Sequence, residues 1–231
     1  GTSVTGNVVQ GPDEENPLMG FRGAVRYVAD EAVFDMEIEA IKIVRNKMGF
    51  KNLYMMIPFV RTVEELLKVK RIIASHGLTR SPSFKLWMMV EIPSNVILLD
   101  DFIDAGIDGI SIGTNDLTML ILGVDRDSEA VAPVYDERNP AVLWALERIT
   151  TIANKRGITS SVCGQAPSVY PDLTQKLVEW GITSVSVSPD MIDTTREIIG
   201  RIEGLLKLVL SLSHEELNMA TQVMKPTAKP A

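Results

Sequence analysis

The sequence predicts an α/β protein built on a parallel β-sheet. Short apolar segments alternate along the chain with longer amphipathic segments of helical period, a pattern typical of repeated strand–helix units. Most of the short segments are continuously apolar, as expected for parallel strands that helices cover. Three of them end in polar or reactive side chains, and parallel α/β folds gather functional groups at the C-terminal ends of their strands.

The predicted elements follow a first segment, residues 1–19, whose glycines, prolines and asparagines indicate an extended arm. Strands are predicted from apolar or β-branched runs at 53–58, 86–91, 108–112, 159–163 and 183–187. Helices are predicted from apolar residues at helical spacing in 20–27, 35–47, 62–75, 96–105, 117–122, 141–155, 172–180, 192–210 and 214–223. Gly49 can terminate the second helix, and Thr62 with Glu65 forms a capping-box pattern at the third.

The composition and the order of elements limit the class of protein. A net charge of −7 argues against general nucleic-acid binding. No apolar run reaches the ~18–20 residues that span a bilayer, and the first residues show no signal pattern. We therefore expect a soluble, cytoplasmic protein with no membrane partner. The chain divides into an N-terminal arm at 1–19, an α/β domain at 20–205, and a C-terminal helix with a flexible tail at 206–231.

Polar side chains at the ends of three neighbouring predicted strands indicate a metal-assisted site for an anion. Glu91 follows one strand, Asn115 and Asp116 follow the next, and Cys163 ends a third. Hard carboxylate oxygens favour Mg²⁺, whereas two histidines and one cysteine in the whole chain disfavour zinc and a cysteine–histidine nucleophile. Each residue also has an ordinary role open to it, since the two acids can cap helices and the thiol can be a buried one.

Two arginines are candidates for holding the anion. Arg22 lies between Gly20 and Gly23, which permit close approach of a ligand, and its fork suits a phosphate or carboxylate. Arg126 lies in an irregular charged segment with an acid on each side. A solvent-exposed helix start for Arg22 and a local ion pair for Arg126 are the alternatives.

Six short motifs occur in order along the chain: Asn16–Gly23, Met55–Val60, Val90–Asn95, Ser111–Leu117, Leu122–Ser128 and Cys163–Ser168. Together they resemble the C-terminal domain of the PEP-utilising enzymes, the family that uses phosphoenolpyruvate (PEP) and includes PEP synthases, pyruvate phosphate dikinases and the first enzyme of the sugar phosphotransferase system. The last two motifs are most similar to the PEP synthase (pyruvate, water dikinase) branch. The resemblance spans about residues 12–203.

The resemblance implies a (β/α)8 TIM-barrel-type domain that binds PEP or pyruvate with Mg²⁺ at its C-terminal face. In the branch it most resembles, ATP, pyruvate and water give AMP, PEP and phosphate, and a phosphohistidine on another domain delivers the phosphoryl group to pyruvate enolate. Partner domains would carry that histidine and an ATP-grasp fold. The implied magnesium ligands are Glu91 and Asp116. The implied catalytic residues are Arg22, Arg126 and Cys163, of which the cysteine exchanges the methyl proton. The implied substrate-binding residues are Arg22, Gly113, Thr114, Asn115, Asp116 and Arg126.

The sequence departs from that family pattern in its number of strands. Five of eight are predicted, so we expect a domain truncated at its N-terminus, with weak PEP binding and without the full reaction in isolation. The unpaired edges at 53–58 and 183–187 predict a homo-oligomer, unless residues 4–10 or a rearrangement covers them. The inner face of the first strand should expose Met55 and Ile57 or their alternates. A non-catalytic assembly module that associates through 204–231 is the alternative function.

Overall fold

The computed structural model describes residues 14–211, with side chains through Leu208. Its centre is a five-stranded sheet in which all neighbouring strands are parallel. The strands are β1 (Met55–Ile57), β2 (Leu86–Val90), β3 (Gly109–Gly113), β4 (Thr159–Cys163) and β5 (Ser184–Val185). All five predicted strands are therefore confirmed, although the first and the last are shorter than expected. Most of the predicted arm and the predicted helix at 214–223 lie outside the described residues.

The strands lie side by side in sequence order, with β1 and β5 at the two edges. This arrangement is that of consecutive strand–helix units, whereas a doubly wound sheet reverses its strand order in the middle. The sheet as described is open. The α/β class and the parallel sheet are confirmed, and closure into an eight-stranded barrel stays a prediction.

Helices connect the strands and cover one face of the sheet. They are α1 (Ala24–Ala29), α2 (Glu31–Lys42), α3 (Val63–Ser75), α4 (Pro93–Ile97), α5 (Leu99–Asp104), α6 (Thr114–Leu122), α7 (Pro140–Lys155), α8 (Ala166–Val169), α9 (Pro171–Glu179) and α10 (Ile192–Ser211). A π-helical turn, Ile43–Lys47, extends α2. The boundary predicted at residue 205 falls inside α10. Within residues 14–211, no helix is long and apolar enough to cross a membrane.

Local signals explain several helix ends. Thr62 accepts a hydrogen bond from the N–H of Glu65 at 3.1 Å, as the capping pattern predicts. The Glu65 carboxylate accepts from the N–H of Arg61 at 2.7 Å, one residue earlier than in the standard capping box. The start of α6 was predicted at Leu117 but lies at Thr114, because the chain turns into the helix directly after β3.

The two faces of the sheet differ in burial. The face toward the helices carries the apolar core, which includes Met55, Ile57, Leu86, Met88, Val90, Ile110, Ile112 and Val162. The opposite face is more open. On β1, Met56 is 42% exposed, whereas Met55 and Ile57 are buried, so the exposed residue is the alternate one that the sequence analysis allowed for. The register pairs Trp87 with Gly109 and Gly113 with Cys163. A Cβ at Gly109 would lie 2.6 Å from the Trp87 ring, so only glycine fits beneath it.

Candidate active site

Glu91 lies directly after β2 and is held in place on both its main chain and its side chain. The side chain of Asn95, which is fully buried, accepts from the N–H groups of Glu91 and Ile92 at 3.3 and 3.2 Å and donates to the Val60 carbonyl at 2.7 Å. Glu91 Oε1 accepts from the N–H of Phe59 at 2.7 Å. The carboxylate therefore faces the loop after β1 and does not cap a helix, which removes the alternative role.

The Glu91 carboxyl group is buried in a space that a glycine opens. Glu91 is 6% exposed, and a Cβ at Gly113 would lie 2.6 Å from its Oε2. Burial raises the pKa of Glu91, the Phe59 N–H lowers it, the negative charge of Asp116 raises it, and Arg22 lowers it. A carboxylate with this balance of neighbours is short of positive charge.

Asp116 lies in the first turn of α6, past the position of a helix cap, so the capping alternative fails here as well. Its Oδ2 forms an ion pair with Nη2 of Arg22 at 2.9 Å. The Arg22 guanidinium also lies over the ring of Phe59, 4.3 Å from the centroid. The glycine-flanked arginine is thus drawn into the site beside both predicted metal ligands.

The thiol of Cys163 lies at the same edge of the sheet. It accepts a hydrogen bond from the Ser111 hydroxyl at 3.4 Å, and it donates to the Ile112 carbonyl at the same distance. Burial raises the pKa of Cys163, the Ser111 hydrogen bond lowers it, and the negative charges of Glu91 and Asp116 raise it further. The side chain is therefore a protonated thiol near neutral pH, which is the form that can donate a proton.

Thr114 joins the start of α6 to the end of β4. Its buried hydroxyl donates to the Cys163 carbonyl at 3.2 Å. Gly164 has a φ of +114°, and a Cβ there would overlap the Thr114 hydroxyl and lie 3.4 Å from Oδ1 of Asn115. The residues predicted to bind substrate at 113–116 consequently sit against the turn that carries the thiol.

Arg126 is linked to this region by Tyr135 and Glu137, two residues that the sequence analysis did not identify as part of the site. The Arg126 guanidinium lies near the Tyr135 hydroxyl and lowers its pKa, and the nearby Glu137 carboxylate raises it. Glu137 is 4% exposed, lies near Thr114, and has one buried carboxyl oxygen, Oε1, with no hydrogen-bond partner. Burial raises the pKa of Glu137, and burial together with Glu137 raises that of Tyr135 to about 12. Both lie in the irregular segment 125–140, where no periodicity marks a buried position.

The donor set fits Mg²⁺ better than zinc. Within residues 14–211 no three histidine, cysteine, aspartate or glutamate side chains cluster as a metal site. Glu91 and Asp116 are two carboxylates near each other, and Mg²⁺ is typically bound by one or two carboxylates together with substrate oxygens and water. The shortage of positive charge at Glu91, whose pKa burial and Asp116 raise, agrees with a small hard cation.

Residues 5–204 match the model of the PEP-utilising enzyme, PEP-binding domain. The chain belongs to this family. Curated relatives include the probable phosphoenolpyruvate synthase of Staphylothermus marinus, 48% identical over 201 residues, which are 85% of this chain and 24% of the relative. The phosphoenolpyruvate synthase of Escherichia coli is 48% identical over 187 residues, which are 80% of this chain and 24% of the relative. The chain thus spans about a quarter of the length of these relatives.

Membership of the PEP-binding domain family confirms the resemblance that the six motifs indicated. Among solved structures, that of RipC from Yersinia pestis is similar at a TM-score of 0.47, with 15% identity and 63% of each chain covered. That similarity is too low to bear on fold or function. The family assignment instead rests on the sequence match along nearly the whole described chain.

Proposed function

We propose that this chain is the PEP- and pyruvate-binding domain of a phosphoenolpyruvate synthase and that its site acts with Mg²⁺. The observation that carries the proposal is the convergence of Glu91, Asp116, Arg22 and Cys163 at the C-terminal edge of one parallel sheet. Relatives of nearly half-identical sequence that bear this name support the choice among family members. In the whole enzyme the domain would form part of a (β/α)8 barrel.

Each residue has a chemical role in this proposal. Glu91 and Asp116 would hold Mg²⁺, which when bound supplies positive charge opposite the oxygens of the substrate. Arg22 and Arg126 are the cations that bind the phosphoryl group, because a guanidinium presents two parallel donors to it. Asn115 and the main chain at 113–114 orient the remaining oxygens.

The proton and the phosphoryl group move in opposite directions. Toward PEP, the Cys163 thiolate takes a proton from the methyl carbon of pyruvate, and the enolate oxygen forms its bond to phosphorus as the bond from phosphorus to the histidine nitrogen breaks. In reverse, the thiol returns the proton to the methylene carbon. The raised pKa of Cys163 in the free site favours the protonated thiol, so the unliganded protein already holds the proton that the reverse step donates.

The alternative of a non-catalytic assembly module gives no reason for the features of the site. An association surface does not require a buried glutamate that accepts a hydrogen bond from a main-chain N–H. It also does not require a second carboxylate that raises the pKa of that glutamate. Such an arrangement costs stability and is typical of functional sites. The exposed edge of the sheet is compatible with self-association in either case.

Calorimetric titration of PEP into the chain tests the proposal. We expect binding heat in the presence of Mg²⁺ and its loss when EDTA replaces the metal. E91Q and D116N should abolish the metal-dependent heat. R80Q is the matched control, because Arg80 pairs with Asp108 before β2 and β3, at the other end of the sheet. Absence of any heat or chemical shift change with wild-type protein, PEP and Mg²⁺ would overturn the proposal.

A further inference from the structure

Phe59 is the one non-glycine residue with a positive φ, at 45°, in the part of the chain that the structure describes. Its side chain is 3% exposed. Gly23 is packed so closely against it that a Cβ on that glycine would lie 2.4 Å from Cβ of Phe59. A bulky residue in this conformation is strained and persists only where its surroundings hold it. Here the strained peptide aims its N–H at Glu91 Oε1.

The ring of Phe59 contacts two guanidinium groups. Arg22 lies 4.3 Å from the ring centroid and Arg61 lies 4.7 Å from it. Each contact is a cation–π interaction, in which the face of the ring attracts the positive charge. The ring therefore supports the Arg22 guanidinium at its position beside Asp116.

Arg61 also holds the main chain that carries Arg22. Its Nη1 donates to the carbonyl of Arg22 at 3.0 Å and its Nη2 donates to the carbonyl of Gly20 at 2.6 Å. These bonds tie the loop before α1 to the loop after β1. With both Nη groups on carbonyls, Arg61 acts on the loop and is not itself aimed at a ligand.

We propose that Arg61, acting with the ring of Phe59, is a positioning residue that fixes Arg22 for binding the phosphoryl group. The inference rests on the proposed function, because it assumes that Arg22 meets that group. A lysine cannot replace Arg61, since one ammonium lacks the planar fork that reaches two carbonyls at once. The Arg61–Phe59 pair thereby sets the affinity for phosphorylated ligands without contacting them.

The test compares two ligands in the presence of Mg²⁺. PEP carries a phosphoryl group, whereas oxalate is a planar dianion that matches the enolpyruvate oxygens and lacks phosphorus. We expect R61K to weaken PEP binding about tenfold, equivalent to ~1.4 kcal/mol, and to leave oxalate binding within about twofold of wild type. F59L, which keeps an apolar side chain and removes the ring, should show the same selectivity. R80K is the matched control and should change neither affinity.

A double-mutant cycle separates positioning from a general effect on structure. In the R22Q background, R61K should cause no further loss of PEP affinity, because the group that it positions is gone. Equal loss for PEP and oxalate, or additive losses in the cycle, would overturn the inference while the proposed function stands. If the wild-type chain binds neither ligand, the proposed function falls, and this inference falls with it. Thermal unfolding of each variant shows that binding is compared between folded proteins.

Discussion

Replacing Glu91 with glutamine separates the role of this carboxylate in binding from its effect on stability. Glu91 is 6% exposed, and burial is the largest cause of its raised pKa. Glutamine has nearly the same shape, and its side-chain oxygen can still accept the hydrogen bond of the Phe59 N–H. E91Q therefore removes the charge and its repulsion with Asp116, and it keeps the packing.

The sign of the effect follows from the direction of the pKa shift. A carboxyl group whose pKa is higher in the folded than in the unfolded protein makes folding less favourable once it is ionised, so stability is lost as pH rises through the folded pKa. We expect the free energy of unfolding of E91Q to exceed that of wild type by about 1 kcal/mol at neutral pH. For a chain of this size, that difference corresponds to a rise in Tm of about 2–4 °C. The difference should shrink as pH falls through that raised pKa, because Glu91 then becomes neutral.

Thermal unfolding followed by circular dichroism over a series of pH values measures this difference. E147Q is the matched control, since Glu147 is an exposed glutamate on α7, and its Tm should follow wild type at every pH. The same E91Q protein should lose metal-dependent PEP binding. An E91Q variant that unfolds below wild type at neutral pH would refute the reasoning, because the charge would then be stabilised by its surroundings.

Three further substitutions and one measurement on the unchanged chain have defined outcomes. C163S in the full-length enzyme should abolish PEP formation, while ATP still phosphorylates the remote histidine in a radiolabelling assay; loss of both would indicate misfolding. R22Q should weaken PEP binding but tighten Mg²⁺ binding without substrate in calorimetry, because Asp116 loses its cationic partner; weaker Mg²⁺ binding would contradict this. G164A should lower the free energy of unfolding in urea by about 1–3 kcal/mol, since its φ is +114° and a Cβ would strike Thr114; an unchanged midpoint counts against it. Light scattering at micromolar concentration should show more than the 25.4 kDa monomer, and a monomer stable on dilution would argue against exposed edges driving association.

Signals between neighbouring residues were enough to predict the framework of the fold. Apolar or β-branched runs identified all five strands, and the threonine at 62 identified the start of α3. The parallel arrangement followed from the alternation of elements, and it placed Glu91, Asp116 and Cys163 at one edge before any contact was known. Helix starts were less accurate, as at α6, where the chain turns into the helix directly after β3.

Residues that act across the chain were not predictable in this way. Glu91 accepts a hydrogen bond from Phe59, 32 positions away in the sequence, and Arg61 donates one to Gly20, 41 positions away. Glu137 has the surroundings of a buried residue but lies in a segment that is charged and irregular in sequence. Nothing in the residues adjacent to any of these positions indicates its partner.

The sequence by itself determined the elements, their order and the kinds of groups at the strand ends, because these depend on propensities and periodicities that act within a few residues. Only the tertiary structure decided that Arg22 pairs with Asp116, that Phe59 is strained and contacts two arginines, and that the Cys163 pKa is raised. Those features depend on the register of parallel strands and on burial. Both arise only when segments far apart in the chain pack together and exclude water.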